Sequence, residues 1–398
     1  MTYYTHLGQI PHKRHTQFRQ PDGTLYHEEL IGNQGFAGNH SLVYHLRPPT
    51  EIVQADVIRV TRLTYEESGA LRPRHFRTAE AGGDANCQVD AIASRIPLLS
   101  NTDVTLSIAH PTDPMTYWYR FAHGDELLFI HQGKGCLESQ LGELHYRPGD
   151  YLMIPAGVLW RLIPERGVAQ IHLSLEASGH IRPPQQYLSP QGQFLEQAPY
   201  CERDIRSPER LLTHDEIGVF EVRVKARGSL TQYCYNHHPL DVVGWDGSVW
   251  PYAFNIKDFE PITGRVHQPP SVHQTFAGPN FVVCSFVPRL FDYHPQGIPA
   301  PYNHANVDSD EVIYYVEGHF MSRKGIERGS ITFHPSGLPH GPHPGTYEAS
   351  IGQSRTEELA VMIDTFRPLR VTTQASAIED VDYVYSWLPS KSWKLTLQ

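Results

Sequence analysis

Histidine is the over-used residue of this chain, 24 among 398. Between residues 299 and 342 the sequence sets His304, His334 and His340 beside three carboxylates, Asp308, Asp310 and Glu311. Neutral imidazole and carboxylate are the donors of non-haem Fe(II), Zn(II) and Mn(II) sites. Two imidazoles and one carboxylate leave positions open for an organic substrate and dioxygen. A histidine on its own is more often a surface or core hydrogen-bonding group. Spacing therefore has to carry any assignment.

Short strands would have to position these groups. Apolar runs such as ELLFIHQG (126–133), FVVCSFVP (281–288), EVIYYVEG (311–318) and SITFHPSG (330–337) are rich in β-branched and aromatic residues and are closed by Gly or Pro. With 31 Gly and 32 Pro, the chain reads as mainly β with many turns. Helix is expected only at the periphery, in RSPERLLTHDEIG (206–218), with Ser207 as N-cap, and in TQASAIEDV (373–381). A net charge of −10 argues against a nucleic-acid partner. Five scattered cysteines suggest reduced thiols rather than a disulfide framework. There is no signal-like leader and no apolar run long enough for a bilayer, so a cytoplasmic protein without membrane contact is expected.

An internal repeat is visible by spacing. Glu126 and Gly133 bracket one strand, and Glu311 and Gly318 bracket another at an offset of 185. Downstream, Gly149, Pro155, Gly157 and Trp160 match Gly329, Pro335, Gly337 and His340. Each copy resembles a cupin, a small jelly-roll barrel whose inward side chains converge in the mouth. The fold expected is a bicupin, in which residues 1–258 carry a barrel with its core at about 111–185 and residues 259–398 carry a second barrel and a tail. In the second copy His304, Glu311 and His340 fill the ligand positions. The first copy has Trp160 for His340 and Ile154 for His334, and His123 with Glu126 makes no complete set, so it reads as a structural partner. Asp308 and Asp310 read as loop or strand-start acids.

The ordered strings LYHEELIGNQGF and SLVYHLRP (within 25–48), DVVGWDG (241–247), PYAFNIKDFEPI (251–262), VHQPPS (266–271), PAPYNH (299–304), SDEV and EGHF (within 309–320) and HPSGLPHGP (334–342) resemble the homogentisate 1,2-dioxygenases. The resemblance implies Fe(II) held by His304, Glu311 and His340, with His267 as the active-site base. It also implies that His334 contacts the substrate hydroxyl and the iron surroundings, and that His340 belongs to the substrate-binding residues as well. The reaction implied opens the ring of a small aromatic substrate, homogentisate, with O2 to give maleylacetoacetate, within tyrosine and phenylalanine catabolism. Family members are trimer-based hexamers, so a homo-oligomer, trimer or hexamer, is expected.

The chain departs from the family where the acetate arm would be clamped. Phe320 and Arg323 stand where a Tyr and a Lys are usual, and Ala305 follows the ligand His where an Arg is common. Arg323 can still grip a carboxylate bidentately, whereas Phe320 donates nothing. Another ring-diol such as gentisate, a non-oxidative metal-dependent cupin reaction, and a binding or storage protein are the alternatives. Trp387 and Trp393 in the tail read as packing groups.

Overall fold

The computed structural model describes residues 3–388 except 61, 68, 82–87, 319, 321–322 and 324. Cys87, Lys324 and Trp393 therefore lie outside the described residues. The chain forms two compact units, one of residues 1–63, 86–96 and 104–258, the other of residues 64–85, 97–103 and 259–398. The path thus leaves the first unit and lends segments to the second. Both are built from β-strands, and the α-helices among the described residues are two five-residue pieces, Thr346–Ser350 and Thr373–Ala377.

In the second unit a sheet runs in the order Gln274–Gly278, Phe281–Phe286, Leu359–Thr365, Asp310–Glu317, Ser330–His334 and Arg74–Arg77. The central strand Asp310–Glu317 is buried on both faces up to its last residue, which explains why its sequence is a continuous apolar run rather than an alternating one. Tyr314, Phe76, Phe281 and Val283 are wholly buried in this core. Each such side chain contributes roughly 1.5–3 kcal/mol on leaving water.

The first unit repeats this pattern in the run Tyr252–Asn255, Asp150–Ile154, Glu126–Gln132, Ile171–Ala177 and Val104–Ala109. Registers agree between the copies. Glu126 lies opposite Ile154 and Glu176, and Glu311 lies opposite His334 and Asp364. The strand-closing glycines share the left-handed backbone, with φ of 107° at Gly133 and 101° at Gly318, and the turn glycines Gly157 and Gly337 have 81° and 80°. An L side chain resists this conformation, so the repeat of Gly is a repeat of turn geometry. The acid before each glutamate is also reused. Asp125 accepts the N–H groups of Ala156 (2.8 Å) and Ile181 (2.7 Å), and Asp310 those of Ser336 (2.8 Å) and Leu369 (2.7 Å).

The first unit also carries a run Gly142–Tyr146, Gly135–Ser139, Trp160–Pro164, Trp118–Phe121, Ile217–Ala226, Ser229–His237 and Ile52–Val60, parallel only between Trp118–Phe121 and Ile217–Ala226. Among the described residues the strand ladders stay open at their ends and none closes on itself as a hydrogen-bonded barrel. The helix expected over 206–218 does not form. Glu143 exchanges two backbone hydrogen bonds with this stretch, accepting from Glu209 N and donating to Arg210 O, both at 2.9 Å, and so draws it out as extended chain. In 373–381 the helix is one short piece, capped by the Thr372 hydroxyl, which accepts from Ala375 N at 3.1 Å. Cys136, Cys201, Cys234 and Cys284 are free thiols, and no helix among the described residues is long and apolar enough to cross a membrane.

Candidate metal centre

Strand Asp310–Glu317 brings Glu311 into the second unit's interior, and two loops bring the imidazoles to it. His304 and His340 form a reciprocal backbone pair, N–H to O at 2.8 Å in both directions, so their side chains are held side by side. His304 Nδ1 donates to Tyr302 O (3.3 Å) and His340 Nδ1 to Leu338 O (3.0 Å). A carbonyl only accepts, so each proton is fixed on Nδ1 and each Nε2 lone pair is left for another partner. Both nitrogens face Glu311, whose carboxylate has no proton to give them, so a cation is the partner that fits among the three. His304 Nε2 lies 3.6 Å from Glu311 Oε2, His340 Nε2 lies 3.4 Å from Glu311 Oε1, and one ligand atom from each of the three residues falls within 4.8 Å of the others.

The donor set fits a divalent cation. His340 Nε2 is buried and has no hydrogen-bond partner, a costly state for an imidazole nitrogen unless a ligand completes it. Burial opposes the Glu311 charge, but the surrounding His304, His334 and His340 imidazoles outweigh it and hold the carboxyl well below its usual range, so it is an anion. The Glu311 contact, against opposing burial, raises His304. Asp308 is exposed and Asp310 is committed to its two backbone N–H groups, so neither competes.

His334 stands behind this set. Its Nδ1 meets Glu311 Oε1 at 2.8 Å, its Nε2 meets the Tyr383 hydroxyl at 3.3 Å, and its ring stacks on His340 at 4.4 Å and 8°. Burial pushes His334 down to about 3, so it is a neutral donor that fixes the glutamate. Trp387 packs edge-on against His343 (4.5 Å) and donates Nε1–H to Gly341 O (3.0 Å), which ties the tail to the loop carrying His340.

A cavity of about 390 Å³ opens onto His304 and Glu311. His267, Arg289, Tyr302, Arg323, Glu358 and Asp364 are among its walls. Arg323 donates to Gly341 O, lies 5.6 Å over the Trp387 ring, and keeps a buried Nε without a partner. Phe320 packs instead on Tyr315 (4.7 Å) in an apolar cluster, and neither it nor His334 lines the cavity. Sequence reasoning missed Asp364. Burial, with the nearby Glu311 charge, pushes its carboxyl up to about 8, and its Oδ1 is buried without a partner. Its signal was the strand pairing, which spacing alone does not give.

The corresponding place in the first unit is filled from within. Arg95 lies 2.7 Å from Glu126 and 2.8 Å from Glu176, Lys225 lies 2.6 Å from Glu176, and Trp160 Nε1 donates to Glu126 at 3.2 Å. By register Glu126 and Glu176 correspond to Glu311 and Asp364. A guanidinium therefore neutralises the acids that face the metal site in the other copy.

Fold and site together define a two-unit cupin-type protein with, among the described residues, one candidate 2-His-1-carboxylate centre. Residues 41–256 match the homogentisate 1,2-dioxygenase N-terminal domain and residues 254–394 the C-terminal domain, so the chain belongs to the homogentisate 1,2-dioxygenase family. A provisionally named dioxygenase of Saccharolobus solfataricus is 38% identical over 98% of this chain and 100% of its own length. Homogentisate 1,2-dioxygenases of Bradyrhizobium diazoefficiens and Nitrobacter hamburgensis are 28% and 29% identical over 78% of this chain and 69% of theirs.

Proposed function

We propose that this chain is an Fe(II)-dependent dioxygenase that opens the ring of homogentisate to maleylacetoacetate. The observation that carries the reading is the convergence of His304, Glu311 and His340, with His340 Nε2 buried and unpartnered, in a chain whose two domains match this family. These three residues would hold the metal. When bound, Fe(II) supplies a Lewis acid for the ring hydroxyl and open positions for substrate and dioxygen.

The remaining work belongs to the chain. His267, on the cavity wall, accepts the proton of the ring hydroxyl, a task suited to imidazole. Arg323, with its unpartnered Nε, meets the acetate arm. His334 and Phe320 act one layer back, the first by holding Glu311 and the second by packing under the cavity wall at Tyr315. Assembly into a homo-oligomer and a cytoplasmic location belong to the same reading. The departures at Ala305 and Arg323 leave as second reading a related ring-diol acid such as gentisate, whose carboxylate sits directly on the ring.

The test is oxygen uptake by protein reconstituted anaerobically with Fe(II) and then mixed with homogentisate, with His340→Ala beside it. One-to-one oxygen consumption, lost in the variant, is expected. Iron retained without oxygen consumption on homogentisate but with consumption on gentisate would move the assignment to the second reading.

A further inference from the structure

We propose that Asp292 is the positioning residue of His267, selecting the tautomer that leaves Nε2 as the basic nitrogen. The inference rests on the reading of His267 as the proton acceptor and extends it to a residue outside every motif in the sequence. His267 sits on an irregular loop and its side chain is 54% exposed, so packing alone does not aim it. Asp292 holds that loop on both sides of the histidine. Its Oδ1 accepts Gly264 N–H at 2.9 Å, and its Oδ2 accepts Gln268 N–H at 2.7 Å. Tyr293 N–H adds a bond to Gly264 O at 2.9 Å.

The same Oδ2 lies 3.5 Å from His267 Nδ1. A carboxylate only accepts, so it favours the proton on Nδ1 and leaves the Nε2 lone pair to take a proton. The separation is long for a hydrogen bond, and such contacts commonly tighten when substrate arrives. On the other side the ring meets the edge of Tyr302 at 5.4 Å, and Tyr302 meets His304 at 6.3 Å. Asp292 and His267 both line the cavity that reaches Glu311. Of the other titratable groups that line this cavity, Tyr302 is in ring contact with His267, and Asp292 is the carboxylate that meets its Nδ1.

The first readout needs neither metal nor activity. In protein labelled with 15N at histidine, with His267 assigned by its loss in His267→Gln, long-range proton–nitrogen correlation should report the Nδ1–H tautomer in the neutral ring. A neutral ring carrying its proton on Nε2 would overturn the proposal. The second readout is the split between kcat and KM in Asp292→Asn, which removes the acceptor for the Nδ1 proton. Turnover should fall roughly 10-fold or more with KM little changed, and Asp292→Glu should recover part of it. An Asp292→Asn variant with unchanged turnover, or one whose loss falls on KM instead, would also overturn the proposal. If His267→Gln kept full oxygen consumption, the proton-acceptor reading would fail while the tautomer result would still decide the role of Asp292.

Discussion

At the residue scale the centre works by removing alternatives. His304 and His340 each have the Nδ1 proton spent on a backbone carbonyl, and His334 holds Glu311 Oε1 at 2.8 Å. His340→Ala should therefore abolish tight metal binding rather than weaken a hydrogen bond, seen as loss of bound iron after desalting with the fold intact by circular dichroism. Arg323→Met should raise KM for homogentisate at least 10-fold while a ring-diol without the acid arm is affected little, since a charge-assisted bond contributes about 1.5–3 kcal/mol. Equal losses for both compounds would show that Arg323 serves the fold instead. The convergence of His304, Glu311 and His340 was legible in the sequence because duplicated Gly and Pro spacing picked out Glu311 and His340 from a histidine-rich background. Asp292 was not legible, because its contacts are to backbone N–H groups and leave no pattern.

At the element scale the same strand unit has been given two different fillings. In the second unit Glu311 and Asp364 face a cavity, and in the first Glu126 and Glu176 face Arg95. Burial opposes the Arg95 charge, but the two glutamates outweigh it, so the cluster is ionic and closed. Arg95→Leu leaves buried carboxylates short of a cation and should cost about 3–5 kcal/mol, measured by denaturant unfolding, with the iron content per chain unchanged. That Trp160 stands against Glu126 in the first copy follows from its place in the repeat. The pairing of Arg95 with Glu126 and Glu176 was not legible, because residue 95 lies before the repeated strands and reaches them only through the fold. The misread helix at 206–218 has the same origin, since the pairing partner Glu143 is distant in sequence and outweighs the local Ser-Pro-Glu signal.

At the scale of the whole molecule, buried histidines set the response to acid. Burial pushes His172 and His273 down to about 3 and His238 to about 4, against an ordinary value of 6.5. The folded chain therefore refuses protons that the unfolded chain accepts, and stability rises with pH through this range. Stability should fall as pH drops below about 6.5 toward 4, by about 1.4 kcal/mol per pH unit for each histidine. His172→Gln should flatten the slope of unfolding free energy against pH by about one proton. The mainly β character and the two-copy plan were legible because strand runs and turn residues are local signals. Segments 64–85 and 97–103, which join the second unit, were not, because which unit a strand completes is decided by long-range pairing such as that of Arg74–Arg77 with Ser330–His334.

The most direct measurement of the proposed chemistry is the isotopic content of the product formed from homogentisate by the Fe(II)-loaded protein under 18O-labelled dioxygen. Incorporation of both labelled atoms into one ring-opened molecule is the expected result. A product carrying one labelled atom or none, or a ring left closed, would contradict ring cleavage by a dioxygenase at the His304, Glu311 and His340 centre.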